Sequence, residues 1–183
     1  SSTAHLRITQ ALLGLSLDDA FWKMFAVVIQ LGAILAVIVY FRSLIRDIIF
    51  RPGDKLKFKI FLSFLATAIP AFILSKLIEK NLASMTVIGS ALLIGGVVMI
   101  IVDKFYKAGT TDNLDKLSTK QAVGIGLFQI FSAVFPGMSR SMSTIVGGQL
   151  LGLTRVIALE FSFLLSVPIM AAATSYDLLK FIK

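Results

Sequence analysis

Cysteine is absent from the 183 residues, which excludes disulfides, thiolate metal sites and cysteine nucleophiles. Histidine is nearly absent, occurring only at His5. Neither a Walker loop nor an H-E-x-x-H zinc helix is present, so nothing marks P-loop nucleotide chemistry or zinc proteolysis. Charge is scarce as well. Asp, Glu, Lys and Arg make up 15% of the chain against 57% for the hydrophobic set, and mean hydropathy is +0.90. No soluble domain of this length needs so apolar a composition for its core. The composition specifies an all-α polytopic membrane protein. The sequence opens at Ser1 with no Met and no signal-peptide pattern, which implies a portion of a longer protein.

What the chain does contain is long uncharged runs. Met24 to Phe41 is 18 residues without a charge, Ile60 to Ser75 is 16 and Leu82 to Val102 is 21, against roughly 20 needed to cross a bilayer. These predict three spans. Gln121 to Ser139 gives 19 more uncharged residues, broken by Pro136-Gly137, and Ser141 to Thr154 gives 14. That pair is expected to form a re-entrant helix-loop-helix hairpin, followed by a last helix over 156–176.

Basic residues set the orientation. Arg42, Arg46, Arg51, Lys55, Lys57 and Lys59 lie between the first and second runs, whereas Lys76 and Lys80 follow the second. The 42–59 loop is therefore expected on the cytoplasmic side, together with Lys104, Lys107, Lys116 and Lys120. The net charge of +8 follows from topology. These basic runs read as membrane anchors, with no nucleic-acid partner implied.

The two ends of the chain also resemble each other. At an offset of 138, "LLGLS" (12–16) falls on "LLGLT" (150–154), Ala20 on Ala158, Phe25 on Phe163 and Ala33 on Ala171. The helices that follow the two copies would cross in opposite directions. This predicts inverted-topology repeats within one transmembrane domain, with portions at 1–41 and 121–176, in which two broken helices meet near the midplane.

The repeat pairs two polar stretches, "SSTAHLR" (1–7) and "SRSMST" (139–144). Each places hydroxyls where a loop enters a helix, and such a junction offers free backbone N–H groups and the positive end of the helix dipole. Arg140 adds a permanent cation with a planar donor fork, which makes phosphate the natural guest. A charge inside the membrane is a functional candidate by default. Structural alternatives exist. The hydroxyls could bond back to their own helices, Pro-Gly could mark only a kink, and Arg140 could anchor a loop at the cytoplasmic surface. His5 lies three residues from Ser2, on one helix face with it if a helix begins there.

"SSTAHL", "QLGAILAV" (30–37) and above all "PGMSRSMST" (136–144) resemble the bacterial undecaprenyl-diphosphate phosphatases, integral membrane enzymes associated with bacitracin resistance. The resemblance runs through almost the whole chain. It implies removal of one phosphate from the C55 lipid diphosphate that serves cell-wall synthesis, in the bacterial inner membrane with the active site facing the periplasm. It further implies Ser2 as nucleophile or its close neighbour, His5 in proton transfer and Arg140 as clamp on the diphosphate. Ser139, Ser141, Thr144 and Gly137 would contact the substrate or fix the loop around it.

The resemblance also implies a divalent cation, Mg²⁺ or Ca²⁺, held by glutamates of an E-G-x-x-E-F-L-P element that would precede Ser1. No metal ligands are expected within 1–183. Family members also continue past Lys183, so a fragment, inactive alone, is the expectation. Polyprenyl diphosphate and membrane lipids are the implied partners, with a homodimer as the candidate assembly. The acid-phosphatase-like lipid phosphatases, which use two histidines, do not fit a chain with one. The rival is a polyprenyl-phosphate transporter or flippase, since inverted repeats with broken helices are shared with transporters.

Overall fold

A computed structural model describes residues 2–16, 19–50, 55–82, 84–106 and 109–182. The described residues are helical with short connections. Among the described residues, three helices are long and apolar enough to cross a membrane: α5 (Lys55–Ile73), α7 (Met85–Phe105) and the first part of α10 (Arg155–Ile182), over 155–176. Their outer faces carry exposed apolar side chains, among them Phe72, Leu93 and Ile100. That pattern suits a hydrocarbon solvent.

The run expected to cross over 24–41 is occupied by α2 (Ala20–Val28) and α3 (Gln30–Tyr40). Ile29 between them keeps helical dihedrals, and its N–H bonds the carbonyl of Phe25 at 3.0 Å. The backbone therefore continues as a nearly unbroken rod. α4 (Arg42–Phe50) follows. The second span begins earlier than its uncharged run, because Lys55, Lys57 and Lys59 lie within α5. Lysine is a good helix former whose stem can run along apolar surface, so charge does not end the helix. α6 (Ser75–Leu82) continues the chain, and the third span starts at Met85, where the Ser84 hydroxyl accepts from Val87 N–H.

The broken hairpin consists of α8 (Thr119–Val134) and α9 (Arg140–Leu150), packed against each other. At 1.5 Å per residue they rise about 24 and 16 Å, each short of the ~30 Å hydrocarbon core. A reciprocal capping box of Ser118 and Gln121 starts α8. Buried Ile125, Leu153, Phe161 and Leu165 join α8, the α9–α10 turn and α10 in one core. Thr67 ties α5 to α8 by donating to the carbonyl of Gly126 at 2.8 Å.

α1 (Ser2–Leu12) and α9 have the same length and coincide at the 138-residue offset. Their ends are built alike. Leu15 N–H bonds Gln10 O at 2.9 Å and Leu153 N–H bonds Gly148 O at 3.0 Å, with Gly14 (φ 69°) and Gly152 (φ 92°) in the left-handed region between. This is the Schellman-type helix stop, which glycine adopts without strain.

The basic segments meet at one end of the molecule. Lys59 donates to Asp115 O at 3.3 Å and Arg155 pairs with Asp103 at 2.6 Å. A strap from the 106–121 segment grips the α9–α10 turn there. Thr111 N–H bonds Gly152 O at 3.0 Å, Thr154 N–H bonds Thr111 O at 2.9 Å, and the Tyr106 hydroxyl donates to Leu153 O at 3.0 Å. Burial raises the Tyr106 pKa above the ordinary phenol value, so this donor keeps its proton. Gln121 donates to Thr111 Oγ1 and to Leu151 O, each at 3.0 Å.

Candidate functional site

The hairpin tip owes its shape to Gly137. Its φ of 118° lies where side chains are strained, and a Cβ there would collide with the carbonyl of Ile88 on α7. Pro136 and Gly137 are both buried. The tip is thus pressed onto the first turns of α7, near Ile88 and Ala91, while Met142 one turn into α9 reaches Gly95. Arg140, between these contacts, lies roughly 9 to 15 Å along α7 from its start at Met85. That is the half of α7 away from Lys104, opposite the end where the basic loops meet.

Ser139 caps α9, its hydroxyl accepting from Met142 N–H at 3.4 Å. The cap serves one of the helix's unpaired first N–H groups, leaving those of Arg140 and Ser141 without an intrahelical acceptor. Arg140 itself is half-buried and makes no ion pair or side-chain hydrogen bond among the described residues. A guanidinium held in a low-dielectric setting without an anion is costly. Its five donors remain available.

Beside Arg140 lies a cavity of about 140 Å³. Polar side chains in its lining are Arg140, Ser141 and Thr144 of α9, Gln129 of α8 and Ser162 and Ser166 of α10. Apolar ones are Ala33, Ile34 and Val37 of α3 and Phe163 and Met170 of α10. Such a mixed lining suits a ligand that carries both an anionic group and hydrocarbon. Thr144 is nearly fully buried, and its hydroxyl lies 2.9 Å from Arg140 O, 3.1 Å from Ser141 O and 2.5 Å from Ser162 Oγ. It locks the first turn of α9 to α10.

Of the residues expected at the site, the structure gathers Arg140, Ser141 and Thr144 around one cavity, with Ser139 as helix cap and Gly137 as the bend that aims the helix. His5 is exposed on α1. α1 packs against α7, and none of its described side chains lines this cavity. Ser2 begins α1, and its side chain lies outside the described residues. Gln129, Ser162 and Ser166 escaped the sequence reading because a search for breaks in uncharged runs passes over neutral polar groups. Their signal was present all the same, as a lone amide deep in an apolar helix and a Ser-x-x-x-Ser spacing along one face of the next span.

Among the described residues no three of His, Cys, Asp and Glu gather to hold a metal ion. These described residues do not themselves form the Mg²⁺ or Ca²⁺ site that the resemblance implies.

Comparison with known proteins bears on the family of the chain. The family model described as "Bacitracin resistance protein BacA" matches residues 1–183. A protein of Koribacter versatilis named "Undecaprenyl-diphosphatase" is 57% identical over 192 residues, covering 98% of this chain and 67% of its own length. Proteins of the same name from Caldanaerobacter subterraneus and Aquifex aeolicus are 44% and 45% identical, each over 98% of this chain and 68% of their own length.

Proposed function

The chain belongs to the bacitracin resistance protein BacA family, and on that premise we propose that it hydrolyses undecaprenyl diphosphate to undecaprenyl phosphate and inorganic phosphate. The observation that carries this reading is Arg140, a guanidinium at membrane depth with no partner among the described residues, at the N-terminus of α9 and beside a cavity lined by both polar and apolar side chains. The anionic head would lie against Arg140 and the α9 N-terminus. The first part of the prenyl chain would lie against Val37, Phe163 and Met170.

In the proposed reaction the Ser2 hydroxyl oxygen attacks the terminal phosphorus and its proton passes to His5. The bridging P–O bond breaks, and its electrons leave with undecaprenyl phosphate. Water then cleaves the phosphoserine, releasing phosphate and restoring Ser2. Arg140 holds the diphosphate in line and spreads the charge of the transferring group, the contribution on which phosphoryl transfer chiefly depends. The Ser2 and His5 roles rest on the resemblance of "SSTAHL" and on their spacing along α1. Bringing α1 to the Arg140 cavity is part of the proposal.

The depth of Arg140, in the half away from the basic loops, supports access from the periplasmic side of the inner membrane by the positive-inside rule. A Mg²⁺ or Ca²⁺ requirement belongs to the proposal as well. Chelation of the intact protein should stop phosphate release, and either ion should restore it; release unaffected by chelator would remove the cation. A homodimer is the assembly proposed. The reading as a whole is tested with undecaprenyl diphosphate in detergent. Arg140→Lys, which keeps the charge but loses the planar fork, is expected to lower turnover on the order of 10²-fold or more. Wild-type turnover in that variant would remove the clamp.

A further inference from the structure

The cavity has six polar side chains, but most of their hydrogens are already used. Thr144 lies within reach of two carbonyls of its own helix, and Ser162 meets Thr144 at 2.5 Å. If Thr144 gives its one proton to a carbonyl, Ser162 must give its own to Thr144. Ser166 donates to Phe163 O at 2.6 Å. These three hydroxyls then present only lone pairs to the cavity, and lone pairs repel an anion. The uncommitted donors are Arg140, Ser141 and Gln129. Of these, Ser141 is exposed, whereas Gln129 is 3% exposed and yet lines the cavity.

Gln129 sits in the third turn of α8, and its side-chain amide makes no hydrogen bond among the described residues. An amide so deeply buried costs free energy unless it is bonded. For packing alone, an apolar side chain of the same size would serve α8 better.

Resting on the phosphatase reading of this cavity, we infer that Gln129 is a further substrate-binding residue, its side-chain NH₂ donating to oxygens of the phosphate group that Arg140 clamps. α8 and α9 would then hold the anion from two sides. Two N–H donors from Gln129 complement the guanidinium without adding charge, so the head group is gripped while the cavity keeps a single cation.

The test uses the intact protein in detergent and three variants: Gln129→Met, which keeps volume and removes both donors, Gln129→Glu, which presents a carboxylate to the anion, and Gln129→Asn. Two readouts are taken with each, the KM for a polyprenyl diphosphate and the inhibition or binding constant of inorganic pyrophosphate. Gln129→Met is expected to weaken both about tenfold, as loss of a hydrogen bond to a charged group does, with a thermal midpoint equal to or above wild type. Gln129→Glu should weaken both further, and Gln129→Asn should recover part of the loss. Unchanged KM and pyrophosphate affinity in Gln129→Met would overturn the inference, as would losses that merely track a falling thermal midpoint. Should the wild type bind pyrophosphate in a Gln129-dependent way yet hydrolyse no prenyl diphosphate, the Gln129 site stands and the hydrolytic reading falls.

Discussion

Single residues at the hairpin tip carry separable jobs, and substitution can tell them apart. Gly137 supplies a backbone angle and a close approach to Ile88, so Gly137→Ala meets both strain and collision. Gly14 also has a positive φ, of 69° against 118°, but nothing lies within 4 Å of its would-be Cβ. Gly137→Ala should therefore lower the thermal midpoint more than Gly14→Ala, whose cost is limited to the ~1–2 kcal/mol of a left-handed non-glycine residue. Equal losses would mean that the Ile88 approach is dispensable. Thr144 and Ser162 make a different kind of contact, between two helices. A double-mutant cycle of Thr144→Val and Ser162→Ala should give a coupling near the ~0.6 to 1.7 kcal/mol found for hydrogen bonds between membrane helices. Strict additivity would deny the lock.

Helices and loops show what the sequence reveals and what it hides. Uncharged runs located the long helices, since length and lack of charge are what a bilayer demands. "FPGMSRSMST" announced the broken hairpin, because proline, glycine and arginine conflict with a simple span. The repeat of "LLGL" likewise marked two helix ends that proved to be built on the same hydrogen bonds. The strap was not legible. Thr111 in a basic loop and Gln121 in the first turn of α8 are ordinary polar residues, and only the fold reveals that they reach Gly152 and Leu151, some thirty to forty positions away. The strap fixes the end of α9 remote from Arg140, so it should steady the whole half-helix. Gln121→Ala removes the side-chain half of the capping box and the two strap bonds that Gln121 donates, and should cost about 1–2 kcal/mol. Hydrogen exchange at 151–154 should quicken in that variant, and wild-type protection there would contradict a holding role.

At the scale of the whole molecule, the proposed orientation rests on the distribution of charge. Basic residues cluster at the end where Lys59 meets Asp115 and Arg155 meets Asp103, while Arg140 lies in the opposite half. Residues 1–183 contain no cysteine, so single cysteines can be introduced among them one at a time. In intact cells, Lys80→Cys should react with a membrane-impermeant maleimide, and Lys116→Cys should react only after permeabilisation. Labelling of both from outside would refute the topology. The inverted repeat, proposed from the 138-residue offset and the matching ends of α1 and α9, requires the same alternation of sides.

Phosphate release from undecaprenyl diphosphate, measured for the intact protein beside its Arg140→Lys variant at matched thermal stability, probes the central claim most directly. The wild type should release inorganic phosphate and leave undecaprenyl monophosphate, and the variant should be slower on the order of 10²-fold or more. A wild-type protein that releases no phosphate, or a variant as fast as the wild type, would contradict hydrolysis at a site organised by Arg140.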